Sequence, residues 1–312
     1  MYVRRIILPL NIRYTKTHFI LKMTHDTMLS SNKVSALRGG IGTMLLNANC
    51  IGDRQCEKCS FREECLVQRI MYSRFDIKPD YITTGESVGY VYECENHKRE
   101  FKKGDTLDFN LILFGKSIVH FSQYIQSVFA LGQCGLGTNN SHFIISAIKN
   151  EDGEDILQNN NILMSNYKLN TLNEYVEKRL KCYDEKDISN LKITFHSPVT
   201  IKYRGEFIRQ FDIDALISSL VRRIEMLNYY EGKPLVGSHL IDNIPEIKKQ
   251  HSYHENVNRY SSRHKENIKL HGLLGSLILN SVDNETLKLL LAGELLHIGK
   301  NTSFGFGRYT VD

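Results

Sequence analysis

"GQCGLGTNNSHF" (residues 132–143) and "GKNTSFGFGRY" (residues 299–309) are two glycine clusters in one chain. Each lies between an apolar stretch of helical spacing and a short run of strand formers. Glycine at a helix-to-strand junction permits positive φ and removes a side chain, so a cluster there marks a sharp turn or a close approach. Two clusters in the same context suggest a repeated unit.

The elements around them repeat as well. In the first half, "HFILKM" (18–23) alternates as a strand, and "NKVSALRGGIGTMLLNA" (32–48) has helical spacing. "ESVGYVYEC" (86–94) and "DTLDFNLILF" (105–114) are β-rich, "KSIVHFSQYIQSVFAL" (116–131) is helical, and "HFIISAI" (142–148) is a strand. The second half runs strand 190–203, helix 211–227, strands 257–264 and 269–280, helix 284–296 and strand 306–311. Asp212 and Asp214 fall in the first turn of the 211–227 helix, where the dipole favours carboxylates.

The order is β-α-β-β-α-β twice, the ferredoxin-like arrangement. The expected fold is therefore α+β, with two tandem ferredoxin-like domains at 1–150 and 190–312. Residues 151–189, rich in Asn and mixed charge, read as a linker. Residues 50–85 read as a cysteine-rich insertion in the first domain.

The second cluster is not a nucleotide phosphate loop. That loop needs four residues between its first glycine and the Gly-Lys pair, followed by Ser or Thr. Here five residues separate Gly293 from Gly299, and Asn301 follows Lys300. With Lys300 and Arg308 beside Gly299, Gly305 and Gly307, the ligand expected is a phosphate backbone. An ordinary tight turn would carry the same glycines.

Bulk properties agree without deciding. The 312 residues carry a net charge of +5 and a pI near 8.7, a mild lean toward polyanions. No apolar run approaches the roughly 18 residues that span a bilayer. "MYVRRIILPLNI" lacks a small-residue cleavage site and reads as a strand, so a cytoplasmic location without membrane association is expected.

Cys50, Cys56, Cys59 and Cys65 form C-x5-C-x2-C-x5-C. Four soft ligands in one short loop can close a tetrahedral structural site, so zinc is the first reading. A [4Fe–4S] cluster is the alternative. The intervening residues are polar and give little core in which to bury four thiols. Farther along, Arg259 and Arg263 share one face of a strand and would present two guanidinium groups to phosphates, while Tyr260 would pack elsewhere or stack a base; a solvated sheet face would carry the same residues.

These features together resemble the CRISPR-associated pre-crRNA-processing endoribonucleases of the RAMP superfamily. The resemblance rests on "LRGGIG" (37–42), the cysteine cluster followed by "YSRF" (72–75), "RYSSRH" (259–264), "GLLG" (272–275) and the terminal "LHIGKNTSFGFGRY". It implies two RNA-recognition-motif-like domains, CRISPR repeat RNA or crRNA as partner along with other CRISPR-associated proteins, and cleavage without a catalytic metal. In such a cut the 2′-hydroxyl attacks its own phosphate, leaving a 2′,3′-cyclic phosphate. Histidine is suited to the proton transfer and cations to the phosphorane.

Several relatives place the catalytic histidine at the end of the first strand or on the first helix. By position that points to His25, with Lys33 and Arg38 following. A loop histidine bonded to Asp26 is the bland alternative. His297, beside the glycine cluster, is the runner-up, and relatives using Tyr and Lys would bring in Tyr72 and Lys33. The competing function is a RAMP subunit that binds crRNA in an effector complex without cutting it.

Overall fold

The computed structural model describes residues 9–52, 54–56, 58–73, 75, 87–159, 161–183, 190–233, 244–261 and 266–312. Two compact units emerge: Tyr14–Leu169 with Asn258–Lys269, and Met1–Arg13 with Asn170–Val257 and Leu270–Asp312.

In the first unit the chain runs β1 (Arg13–Met23), α1 (Lys33–Asn49), α2 (Leu66–Met71), β2 (Tyr90–Glu93), β3 (Thr106–Phe114), α3 (Phe121–Cys134) and β4 (Phe143–Asn150). The strands pair in the order β2-β3-β1-β4, each contact antiparallel. Alternation along β1 sends Thr17, Phe19, Leu21 and Met23 inward. Phe19 stacks on Phe109 of β3 at 4.9 Å between ring centroids. α1 covers this face because Val34, Leu37, Ile41 and Leu45 recur at helical spacing and are buried. Each such side chain contributes roughly 1.5–3 kcal/mol on burial. The second and third glycines of "LRGGIG" serve this packing: a Cβ at Gly40 would meet Leu131 of α3, and one at Gly42 would meet Met71 of α2.

The second unit contains α4 (Leu172–Leu180), β5 (Asn190–Val199), a short hairpin of β6 (Lys202–Tyr203) and β7 (Glu206–Phe207), and α5 (Ile213–Tyr230). After these come β8 (Glu246–Ser261), β9 (Glu266–Asn280), α6 (Asn284–Leu296) and β10 (Tyr309–Val311); residues 258–261 of β8 and 266–269 of β9 belong to the first unit. Its sheet runs β8-β9-β5-β10. In both sheets the order by position in the unit is second, third, first, fourth.

Helix starts follow local chemistry. Asp212 and Asp283 cap α5 and α6, accepting from Ala215 N at 2.9 Å and Thr286 N at 2.7 Å. Asp212 is thus the N-cap rather than a first-turn residue, and Asp214 occupies the first turn. The stretch expected as a linker contains α4, which begins with a capping box between Thr171 and Glu174. That helix is anchored: Arg179 Nε and the Tyr175 hydroxyl donate to the buried Glu294 carboxylate of α6 at 2.8 and 3.0 Å. Among the described residues, no helix is long and apolar enough to cross a membrane.

Candidate functional site

β1 and β4 pair with Met23 opposite Phe143, so the chain leaving β1 meets the chain entering β4. The first glycine cluster makes that meeting possible. Gly135, at φ 96°, would place a Cβ 2.5 Å from the Asn140 backbone, so the loop closes only without a side chain there. It delivers His142 beside His25, with ring centroids 5.5 Å apart and planes at 55°.

Thr24 organises the pair. Its backbone N–H and its hydroxyl both donate to His142 O at 3.1 Å. The single hydroxyl proton is then engaged, so toward His25 Nδ1, at 3.2 Å, the Thr24 oxygen acts as acceptor. In the neutral ring this places the proton on Nδ1 and the lone pair on Nε2, the form a proton acceptor needs. The Asp26 carboxylate takes different partners: Lys103 N–H at 2.8 Å and Lys102 Nζ at 3.0 Å. The Lys103 amide bond, then the Lys102 ion pair, holds its carboxyl below the usual range.

Lys33 is placed otherwise than its sequence position suggests. It is 1% exposed, its Nζ donates to Lys98 O, and it lies 5.5 Å from the Phe101 ring centroid. Burial lowers its pKa from the ordinary lysine value. Its ammonium is engaged by backbone and ring inside the unit, which does not present it to a phosphate.

Arg38 is half-buried over the Tyr90 ring, at 5.8 Å. Arg259, half-buried in the same unit, has its pKa lowered by burial and then by the Arg38 charge. The structure thus brings together two arginines predicted from separate stretches. Arg263 lies outside the described residues. Tyr72 caps the C-terminal end of α2, its N–H donating to Gln68 O.

The terminal glycine cluster is folded onto its own unit. Gly299 N–H donates to Ser219 Oγ, Lys300 N–H to Thr200 O, Gly307 N–H to Pro198 O and Arg308 N–H to Ser197 Oγ, all between 2.8 and 3.0 Å. Gly305 N–H bonds Thr302 O at 2.9 Å. These amides are spent within the protein, so a phosphate cradle of backbone N–H groups does not form here. What the loop offers outward is the exposed Lys300 and the half-buried Arg308. His297 is fully buried, sits at φ 56° at the C-cap of α6, and its Nδ1 is 3.1 Å from Phe306 O. It ties the helix end to the loop and faces no solvent.

Cys50, Cys56, Cys59 and Cys65 are half-buried free thiols. Cys50 ends α1 and Cys65 begins α2. Among the described residues no three His, Cys, Asp or Glu side chains converge as a metal site, so the four thiols as placed do not form the expected tetrahedron.

His142 is the functional candidate that sequence reasoning missed. Its signal was available: where the first and fourth strands of a unit pair antiparallel, the residue after one neighbours the residue before the other.

Two family models match the chain. The AF_1859_N N-terminal domain model covers residues 10–172, and the model of the CRISPR-associated endoribonuclease Cas6 covers residues 193–309. Among curated proteins none matches the sequence at a significant level. Among solved structures, a partial Cas6-RT-Cas1–Cas2 complex aligns with TM-score 0.59 at 14% identity, over 98% of this chain and 47% of that one. The chain thus spans about half the length of that protein. A Cas6 product complex aligns with TM-score 0.54 at 12% identity, over 97% and 100% of the two chains. Thermus thermophilus Cas6 gives 0.53 at 10% identity, over 96% and 99%. At these identities the structural likeness speaks to fold.

Proposed function

We infer that the chain is a CRISPR-associated Cas6 endoribonuclease, from the match of that family's model to residues 193–309. We read its two sheets, each ordered second-third-first-fourth, as tandem ferredoxin-like domains. The proposed activity is cleavage of CRISPR repeat RNA to mature crRNA, in the cytoplasm. Other CRISPR-associated proteins are proposed partners, as in the Cas6-RT-Cas1–Cas2 complex.

The observation that carries the chemical reading is the His25–His142 pair. In the proposed step His25 Nε2 accepts the proton of the ribose 2′-hydroxyl. The oxygen attacks the adjacent phosphorus, the P–O5′ bond breaks, and His142 protonates the departing 5′-oxygen. Products are a 2′,3′-cyclic phosphate and a 5′-hydroxyl. Arg38 and Arg259, whose charges act on one another, would stabilise the transition-state charge of a phosphate bound beside them. The nucleophile belongs to the substrate, so no metal is needed to generate it. Zinc, or alternatively a [4Fe–4S] cluster, held by Cys50, Cys56, Cys59 and Cys65 belongs to this proposal as a structural element and requires the 50–65 segment to close around it.

The test is cleavage of a repeat RNA in EDTA with analysis of product ends. A cyclic phosphate, and loss of cutting with a 2′-deoxy residue at the cut position, support the reading. Binding without cleavage would make the chain a crRNA-binding subunit.

A further inference from the structure

The second unit contains a cleft of about 450 Å³ beside the terminal glycine cluster, a volume in the range of small-ligand sites. Its lining includes the buried apolar residues Val199, Ile201 and Leu273. The β6-β7 hairpin contributes Phe207, which is 49% exposed. Lys300 Nζ lies 5.4 Å from the Phe207 ring centroid, and the His271 ring meets it edge-on at 6.3 Å and 74°. Exposed Lys202 and Arg209 also line the cleft, against one lining carboxylate, Glu206.

Phe207 is held between Lys300 and the His271 ring and still keeps about half of its surface open to solvent. A ring bounded by cations over an apolar floor matches a ligand with a planar aromatic part and an anionic part joined a few ångströms apart. We propose that this cleft takes one unpaired nucleotide of the RNA, its base stacked on Phe207 and its phosphate paired with Lys300 and Arg209. A base inside a duplex has both faces covered by its neighbours, so the occupant is single-stranded. The pocket rests on the RNA reading above and adds where an unpaired nucleotide is held, in the second unit, by residues that take no part in proton transfer.

The experiment compares a single-stranded oligoribonucleotide with a fully abasic counterpart of the same length. The wild-type protein should bind the base-bearing strand more tightly. Phe207→Ala should weaken that binding about 5- to 150-fold, the fold-change for one stacked base, and leave abasic binding unchanged. Phe207→Trp should retain the preference, and Lys300→Ala should weaken both strands. Phe207 is half-exposed, so unchanged melting of the alanine variant shows that the fold is kept. If Phe207→Ala binds both strands as wild type does, the pocket is overturned while the RNA reading stands. If the wild-type protein binds neither strand, the pocket is overturned, and the RNA reading is decided separately by the repeat-RNA assay.

Discussion

The imidazoles of His25 and His142 lie 5.5 Å apart between centroids, and Thr24 contacts both residues through one hydroxyl. Two proton-transfer groups held this way can serve the two ends of a phosphoryl displacement, one accepting and one donating. Replacing either with alanine should slow cleavage about 10²–10⁴-fold while leaving RNA affinity nearly intact. If they act as a unit, the double variant should be little slower than the worse single one. Single-turnover rates with a repeat RNA decide it. A wild-type rate in His142→Ala would return the proton-donor role to another group.

Gly307 sets the register of the terminal loop. A Cβ there would sit 1.8 Å from Ile298 O, the carbonyl of a residue whose own N–H bonds Gly307 O. Gly307→Ala should therefore destabilise the protein by about 2–4 kcal/mol or prevent folding. Gly305→Ala must adopt the left-handed backbone, at φ 77°, which by itself costs about 1–2 kcal/mol. Thermal melting of the two variants ranks them, and equal melting would mean that the loop relaxes at Ile298.

What the sequence disclosed and what it hid have physical reasons. β1 and α1 were legible because apolar residues recur at the spacing each element requires, and burial obeys that spacing. Lys33 was misleading because a lysine in a first helical turn reads as solvated, whereas the chain at Lys98–Phe101 folds over it. His297 looked poised beside the glycines, yet its positive φ and complete burial arise from tertiary packing that periodicity does not encode. The terminal glycines were legible as a close-approach site, but the backbone they approach is the protein's own.

The cysteine segment gives a separable prediction. If Cys50, Cys56, Cys59 and Cys65 close on a metal, purified protein should contain about one zinc per chain, or iron and sulfide in cluster ratio. Serine at Cys56 or Cys59 should then lower thermal stability more than it lowers the cleavage rate, since four protein ligands leave no open position for substrate. Elemental analysis is the measurement. A metal-free protein with unchanged stability in the serine variants would remove the site.

Lys33 and Cys94 make opposite contributions to alkaline stability. Burial, the largest cause, pushes the Cys94 thiol up from 9.0 to about 11, and the thiol donates to Asp108 O at 3.3 Å. Its folded pKa exceeds the unfolded one, so its contribution is fully present below about pH 9 and is lost as pH rises through about 11. For Lys33 burial acts the other way, lowering the pKa from 10.5. The folded state resists its charge at neutral pH, and that cost is relieved as pH rises through the lowered value toward 10.5. Cys94→Ala should therefore lose less stability than wild type between pH 9 and 11, and Lys33→Met should lose more. Differences between variants cancel the buried tyrosines, which titrate in both. Denaturant melts at stepped pH read these slopes, and parallel curves for all three proteins would show that neither group is shifted. A direct check is alkylation near pH 8, where a thiol with a raised pKa carries less thiolate and should react more slowly than an ordinary thiol of equal access.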